Sequence, residues 1–235
     1  MGKVFLVIGK SFSGKDTFIN QVLSDREFCE KNNLHRLIRY TTRKPRKGEV
    51  HGVDYYFQND FVYNPETCVM ESYDTEYGKL IYMTDFDDIE SDKNYILTAD
   101  PEYLDEYKRI LDDRLCLIYL ITPNWVLLKR FANRNENEEY SDNKWQEICR
   151  RFFDDNNKFN EYSKEYLKDC YSIINLGEKL CVDGIKTLMD HFINDTMYFS
   201  KTDSIIILND EIKFLDHSRM ISFNDDAITI KALFR

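Results

Sequence analysis

The sequence predicts an α/β fold built on a mostly parallel sheet. Three observations carry that expectation. Continuous apolar runs of strand length recur at 4–8, 95–97, 115–121 and 171–174. Helical patterns fill the intervals, at about 101–112, 125–133, 142–168 and 182–192. A glycine-rich turn joins the first strand to the first helix. Strands that are apolar along their whole length suit a sheet covered on both faces, and their alternation with helices suits parallel pairing.

The elements follow in order. Val4-Phe5-Leu6-Val7-Ile8 is the first strand, and it stops at Gly9. A helix starts near Gly14, with Phe18, Ile19, Val22 and Leu23 on one face. Residues 38–84 break the rhythm: short alternating segments rich in Tyr and Thr, punctuated by Gly48, Gly52 and Gly78, predict a small β-rich insertion. The core is then 1–37 and 85–195. Residues 135–143 are polar and acidic and read as a loop between two arginine-bearing helices, a lid spanning about 125–160. After about Asp195 the pattern changes again. Ile205–Leu208, Ile212–Leu215, Met220–Phe223 and Ala227–Leu233 read as short strands, so 196–235 is expected to be a β-meander without a recognisable chemical motif.

The 235 residues carry 32 Lys+Arg against 42 Asp+Glu, a net charge of −10, and the pI is near 5.0. That balance argues against a nucleic-acid partner and against a polybasic membrane anchor. No apolar stretch approaches the ~18 residues of a membrane span, and the N-terminus lacks the long apolar core of a signal peptide. None of the six cysteines shares a C-x-x-C spacing, so buried free thiols are expected rather than a zinc site or redox pair. A cytoplasmic protein is the expectation. No sequence feature sets an oligomeric state.

Two segments carry chemistry. The first is Gly9-Lys10-Ser11-Phe12-Ser13-Gly14-Lys15-Asp16-Thr17, with the G-x-x-x-x-G-K spacing of a phosphate-binding loop. Its glycines let the backbone turn N–H groups inward, the helix N-terminus adds partial positive charge, and Lys15 reaches the terminal phosphates. Gly9, Ser11, Ser13, Gly14, Lys15, Asp16 and Thr17 are therefore candidates for binding ATP. A hydroxyl normally stands where Asp16 does and helps hold Mg²⁺. A carboxylate there either holds the metal, directly or through water, or repels phosphate. Thr17 is the alternative phosphate contact.

The second segment runs from Arg36 to Lys47, with six basic residues and no acidic one. At physiological salt the Debye length is about 8 Å, so distant carboxylates are muted while adjacent arginines are not. Arginine also grips phosphate bidentately.

The string Thr41-Thr42-Arg43-Lys44-Pro45-Arg46-Lys47-Gly48-Glu49-Val50-His51-Gly52-Val53-Asp54-Tyr55-Tyr56-Phe57 resembles the acceptor-binding signature of the guanylate kinases. With the phosphate loop upstream, the resemblance covers roughly 1–195 and is strongest at 3–57. It implies a P-loop NTPase core, ATP as donor with Mg²⁺, and GMP, with dGMP, as acceptor. It also implies roles by position. Arg43, Arg46 and Tyr55 resemble the clamp on the GMP phosphate. Glu71 resembles the carboxylate that reads guanine; Tyr82 and Thr84 resemble residues on the acceptor phosphate and base. Asp100 stands at the family's second acidic strand-end position, and Thr98 replaces the first. Arg39 stands where a serine often meets the guanine carbonyl; its guanidinium either donates to that oxygen or points at phosphate. Arg130, Arg134 and Arg151 resemble the lid arginines, and Asn175 a residue beside adenine.

The residue types suit that chemistry. Guanine offers N1–H and N2–H₂ donors, which carboxylates accept and adenine cannot match. Such mismatches discriminate by about 10⁴–10⁵. Two other readings are carried along: a related kinase with another purine acceptor, and a non-catalytic module binding a phosphorylated partner.

Overall fold

The computed structural model describes residues 1–75, 78–87, 89–134, 142–166, 171–175, 182–194, 203–208 and 211–216. Its first strand, β1 (Val4–Ile8), is buried along its whole length. The period-two geometry of a strand divides its side chains between two core clusters. Phe5 and Val7 pack with Phe18, Ile19 and Val22 of α1 (Lys15–Ser24). Val4, Leu6 and Ile8 join Leu104, Tyr107 and Leu111 on the other face. Burying each large apolar side chain stabilises the fold by about 1.5–3 kcal/mol, which is why this strand tolerates no polar residue.

After α1 come α2 (Arg26–Lys31) and β2 (Leu34–Arg36), then the insertion strands β3 (Arg39–Thr41), β4 (Tyr55–Phe57), β5 (Cys68–Thr75) and β6 (Gly78–Asp85). The chain returns to the core through β7 (Asn94–Thr98), α3 (Leu104–Leu111), β8 (Leu115–Ile121), α4 (Asn124–Arg134), α5 (Asp142–Tyr166), β9 (Tyr171–Asn175) and α6 (Val182–Ile193). It ends, among the described residues, with β10 (Asp203–Leu208) and β11 (Glu211–Asp216).

The core sheet has seven strands in the order β11-β10-β9-β8-β1-β7-β2. Every neighbouring pair is parallel except the β10–β11 hairpin. The predicted parallel α/β core is therefore present, with two elements that the sequence reading did not separate. Helix α2 is short and has no apolar period; its signal is Asp25, whose carboxylate accepts from the Phe28 N–H at 3.0 Å as an N-cap. Strand β2 adds an edge beside β7, pairing Leu34 with Asn94.

The insertion is β-rich as expected, a second sheet in the order β4-β3-β6-β5. Its register decides the site. Glu71 lies opposite Tyr82, Val69 opposite Thr84, Thr41 opposite Tyr82 and Arg39 opposite Tyr55. Cross-strand partners and alternate residues share a face, so Arg39, Tyr55, Glu71, Tyr73, Tyr82 and Thr84 all look the same way. The Tyr103 hydroxyl ties β5 to the start of α3, accepting from the Ser72 N–H at 2.8 Å and donating to the Ser72 carbonyl at 3.1 Å.

The two tail strands expected at 205–208 and 212–215 form the hairpin β10–β11. It lies in the core sheet, with β10 parallel to β9 through Ile205–Ile173 and Ile206–Ile174. The strands expected at 220–223 and 227–233, most of the lid loop and the final residues lie outside the described residues. Four cysteines are described and all are free; Cys68 and Cys116 are buried as expected, Cys29 is partly buried and Cys149 is exposed. Among the described residues no helix is long and apolar enough to cross a membrane.

Candidate nucleotide site

The loop after β1 turns on two glycines. A Cβ on Gly9 would lie 2.6 Å from the Ser13 Oγ and 2.9 Å from the Leu120 carbonyl oxygen. Gly14, at φ 98°, is the N-cap of α1 in the left-handed region, which its missing Cβ permits. Phe12 takes the same region at φ 66° with a full side chain, at a backbone cost of roughly 1–2 kcal/mol. Its ring meets Phe131 edge-on at 5.2 Å, and Phe131 meets Trp145 at 5.3 Å. That aromatic row, carried by α4 and α5, offsets the strain.

Lys15 folds back over the loop. Its Nζ donates to the carbonyls of Gly9 at 2.5 Å and Lys10 at 3.1 Å. Burial lowers its pKa, while Asp16 and Asp155 act in the opposite sense. The Ser11 N–H donates to Asp155 Oδ2 at 2.5 Å, and Lys10 reaches Asn124 at 3.1 Å and Asn156 at 2.5 Å. The Ser13 Oγ is buried without a hydrogen-bond partner. Asp16 and Thr17 are exposed on the first turn of α1. Arg130 donates from Nη1 to the Ser13 carbonyl at 2.8 Å and the Phe12 carbonyl at 3.3 Å, and burial lowers its pKa. Arg130 is thus against the loop, whereas Arg151 is exposed on α5. Arg134 ends α4 and Asn175 ends β9, and the side chains of both lie outside the described residues.

A second cationic centre lies on the insertion. Arg43 makes a bidentate pair with Glu49, Nη1 to Oε2 and Nη2 to Oε1, each at 2.9 Å. Its Nε donates to the Tyr82 hydroxyl at 3.2 Å, and its guanidinium sits 5.5 Å from the Tyr55 ring centre and 5.6 Å from that of Phe57. Burial opposes the Arg43 charge, but Glu49 and Tyr82 more than compensate and its pKa is raised. Tyr55 packs edge-on against Tyr82 at 5.7 Å, and burial raises its pKa. The side chain of Arg46 is exposed, while its N–H donates to Glu49 Oε2 at 2.6 Å.

Behind the clamp lies a buried polar cluster. Glu71 is 2% exposed. Its Oε1 accepts from the Tyr107 hydroxyl at 2.9 Å and the Asp100 N–H at 3.4 Å. Its Oε2 accepts from the Tyr73 hydroxyl at 2.9 Å and lies 2.8 Å from the Arg39 Nη2. The Thr84 hydroxyl meets the Tyr107 oxygen at 2.9 Å. Burial, then the Glu71 charge, raises the Tyr73 pKa, and burial raises that of Tyr107, so both phenols stay protonated donors. Arg39 is 5% exposed and donates from Nη1 to the Thr98 carbonyl at 3.1 Å. Its Nη2 is close to Glu71 but poorly aligned for a hydrogen bond, and its Nε has no acceptor. Burial opposes its charge, and Glu71 reverses that effect so that the pKa is raised. Asp100 caps the turn at Pro101–Tyr103 through Oδ1 and pairs through Oδ2 with Lys158 at 3.1 Å. Lys158 also reaches Glu102 at 2.9 Å, and these two acids overcome its burial to raise its pKa.

Three of the candidates share one pocket, which is lined by Asp16 of the loop helix, Arg39 and Tyr55 of the insertion, and Thr98 of β7, together with Arg36 and Asp54. The residues that sequence reasoning missed are Glu49, Tyr73, Tyr107, Asp155 and Lys158. Glu49 was inside the quoted string, and Tyr73 shares a strand face with Glu71. The other three reach the site only through tertiary packing.

Mg²⁺ commonly takes one or two carboxylates, with phosphate and water completing its shell. The exposed Asp16 carboxylate at the loop suits that requirement.

A loop with the phosphate-binding spacing and a separate arginine–tyrosine cluster on the insertion are the arrangement expected of P-loop kinases that act on small phosphorylated acceptors. A family model described as guanylate kinase matches residues 1–166. The chain belongs to the guanylate kinase family. It is 31% identical over 130 residues to a guanylate kinase of Porphyromonas gingivalis, covering 53% of this chain and 67% of that protein. It is 33% identical over 135 residues to one from Malacoplasma penetrans, covering 55% and 67%. A crystal structure of guanylate kinase from Anaplasma phagocytophilum shares the fold, with a TM-score of 0.53 at 16% identity over 85% of this chain and 88% of that one.

Proposed function

We propose that this chain transfers the γ-phosphoryl group of ATP to GMP, and also to dGMP, giving ADP and the nucleoside diphosphate. The observation that carries this is the pocket whose walls come from both the phosphate-loop helix, through Asp16, and the acceptor insertion, through Arg39 and Tyr55. A donor and an acceptor held there would meet end to end.

The acceptor phosphate has a second pKa near 6 and is largely dianionic at pH 7, so no general base is required. Positioning and charge neutralisation are the remaining sources of rate. The loop amides, Ser11, Ser13 and Thr17 bind the donor phosphates, and Lys15 leaves the Gly9 and Lys10 carbonyls to meet the transferring group. Arg130, Arg134 and Arg151 close over it, and Asn175 borders the adenine. Arg43, Arg46, Tyr55 and Tyr82 hold the acceptor phosphate. Arg39, Glu71, Thr84 and Asp100 form the base end. Asp16 would hold Mg²⁺, which would supply charge neutralisation to the donor phosphates.

The test is a coupled ADP-release assay with GMP, dGMP, AMP, CMP and UMP. Turnover confined to GMP and dGMP is expected. Preference for a pyrimidine or adenine acceptor, or no turnover with any, overturns the reading.

A further inference from the structure

The two carboxylates of the base end are braced from outside the insertion, by a lysine of α5. Lys158 is half-buried, and its Nζ lies 3.1 Å from Asp100 Oδ2 and 2.9 Å from Glu102 Oε2. The same Nζ is 5.7 Å from the ring centre of Tyr73, within cation–π range. Asp100 and Tyr73 are also neighbours of Glu71. The Asp100 N–H meets Glu71 Oε1 at 3.4 Å, and the Tyr73 hydroxyl donates to Oε2 at 2.9 Å. One ammonium group thus bears on the side chain of one carboxylate and on two supports of the other.

Helix α5 is anchored on either side of this lysine. The next residue, Phe159, is buried and stacks on Tyr119 of β8 at 5.3 Å. One turn earlier, Asp155 and Asn156 hold Ser11 and Lys10 of the phosphate loop. The Lys158 stem therefore starts from a fixed point. Asp100 depends on it in turn. Its Oδ1 accepts from the Glu102 N–H at 3.0 Å, and Lys158 supplies the contact on Oδ2. A carboxylate offers about four lone-pair positions, so acceptor positions stay open on both oxygens for a ligand N–H. Without the ammonium, Asp100 and Glu102 lose the cation between them, and like charges push the two carboxylates apart.

We propose that Lys158 is a positioning residue for acceptor-base recognition, fixing the Asp100 carboxylate directly and the Glu71 carboxylate through Tyr73, from a helix that also contacts the phosphate loop. The proposal rests on the kinase reading above, in which Glu71 and Asp100 form the base end. Lys158 acts through these two carboxylates and makes no bond to substrate. The competing view is a plain brace that fastens α5 to the turn at Pro101–Tyr103. The two differ in what its removal costs. A brace lowers stability and affects both substrates and turnover alike, whereas a positioning residue acts on acceptor affinity.

The experiment is steady-state kinetics on the full chain for wild type, Lys158→Met, Lys158→Arg, Asp100→Asn and the double variant Lys158→Met/Asp100→Asn. Lys158→Met keeps an apolar stem and removes the charge. It should raise the GMP KM at least about tenfold, with kcat within about threefold and the ATP KM within about twofold of wild type. Lys158→Arg, which keeps the cation, should bring the GMP KM back to within about threefold of wild type. Residues that act through one group are not additive, so adding Lys158→Met to Asp100→Asn should raise the GMP KM by only about threefold or less. An unchanged GMP KM, an equal rise in the ATP KM, or a full tenfold effect of Lys158→Met in the Asp100→Asn background overturns the proposal. If Lys158→Met does not melt cooperatively, Lys158→Gln takes its place under the same thresholds. Absence of GMP turnover in the wild-type protein refutes the kinase reading itself, whereas wild-type turnover with an unchanged KM in the variant refutes only this inference.

Discussion

The Asp155 carboxylate stands 2.5 Å from the Ser11 amide nitrogen, so an acidic side chain of α5 occupies a donor of the phosphate loop. The loop's own lysine is turned away at the same time, onto the Gly9 carbonyl at 2.5 Å. A donor triphosphate must displace both contacts. At an effective dielectric near 20, a carboxylate about 6 Å from each phosphate charge opposes it by about 3 kcal/mol before screening. Asp155→Ala should therefore lower the KM for ATP about threefold to tenfold, with the acceptor KM little changed. Steady-state kinetics at saturating GMP measures this, and an unchanged or higher ATP KM would mean that the contact does not compete.

Arg43 makes the opposite prediction, at the other end of the pocket. It is already oriented by Glu49, by the Tyr82 hydroxyl and by the faces of Tyr55 and Phe57. Little side-chain freedom is left to lose on binding, so most of its phosphate contact should appear as affinity. Arg43→Ala should raise the GMP KM at least about tenfold and leave the ATP KM within about twofold. Equal effects on both substrates would place Arg43 outside the acceptor clamp.

The Arg43–Glu49 pair also makes stability depend on pH. Burial alone would raise the Glu49 carboxyl, but Arg43 and the Arg46 N–H lower it below its ordinary 4.5. In the window below 4.5 the unfolded chain then binds more protons than the folded one. The pair's contribution is fully present above 4.5 and is lost as the pH falls through the lower folded value. Urea midpoints between pH 6 and pH 3 should fall more steeply for wild type than for Glu49→Gln. Parallel curves would show that Glu49 titrates alike in both states.

How much of this was legible in the sequence depends on the range of each interaction. The apolar run Val4–Ile8 and the spacing from Gly9 to Lys15 are local, and both were read correctly as strand and loop. The insertion was recognisable from alternation, yet its consequence was not. Arg39 and Glu71 were each named, but their pairing comes from the β3–β6–β5 register, which no segment reports by itself. Asp155 and Lys158 lie in a 25-residue helix as ordinary polar positions. They meet Ser11 and Asp100 across separations of 144 and 58 residues, and only packing of the helix against the loop selects them. Helix α2 escaped notice because six residues cannot display a helical period, leaving the Asp25 cap as the sole cue.

The C-terminal hairpin is the region where sequence said least and the sheet says more. Strand β10 covers one edge of β9, with Ile205 opposite Ile173, Ile206 opposite Ile174 and Ile207 opposite Asn175. Without it β9 would present unpaired backbone N–H and C=O groups along an apolar strand, a template for edge-to-edge association. The second strand of the hairpin, β11, is the outermost strand on that side among the described residues, two places beyond β9. A chain truncated after Asp195 should therefore melt at a lower temperature than the full chain and elute in part as soluble oligomers on sizing. Its kcat/KM for GMP, normalised to the monomer fraction, should stay within about threefold of the full chain's, because the acceptor clamp lies on the other sheet. A truncated chain that stays monomeric with an unchanged melting temperature would show that β9 is protected without the hairpin. A monomer with lost activity would instead tie β10 to the donor site through the end of β9 at Asn175.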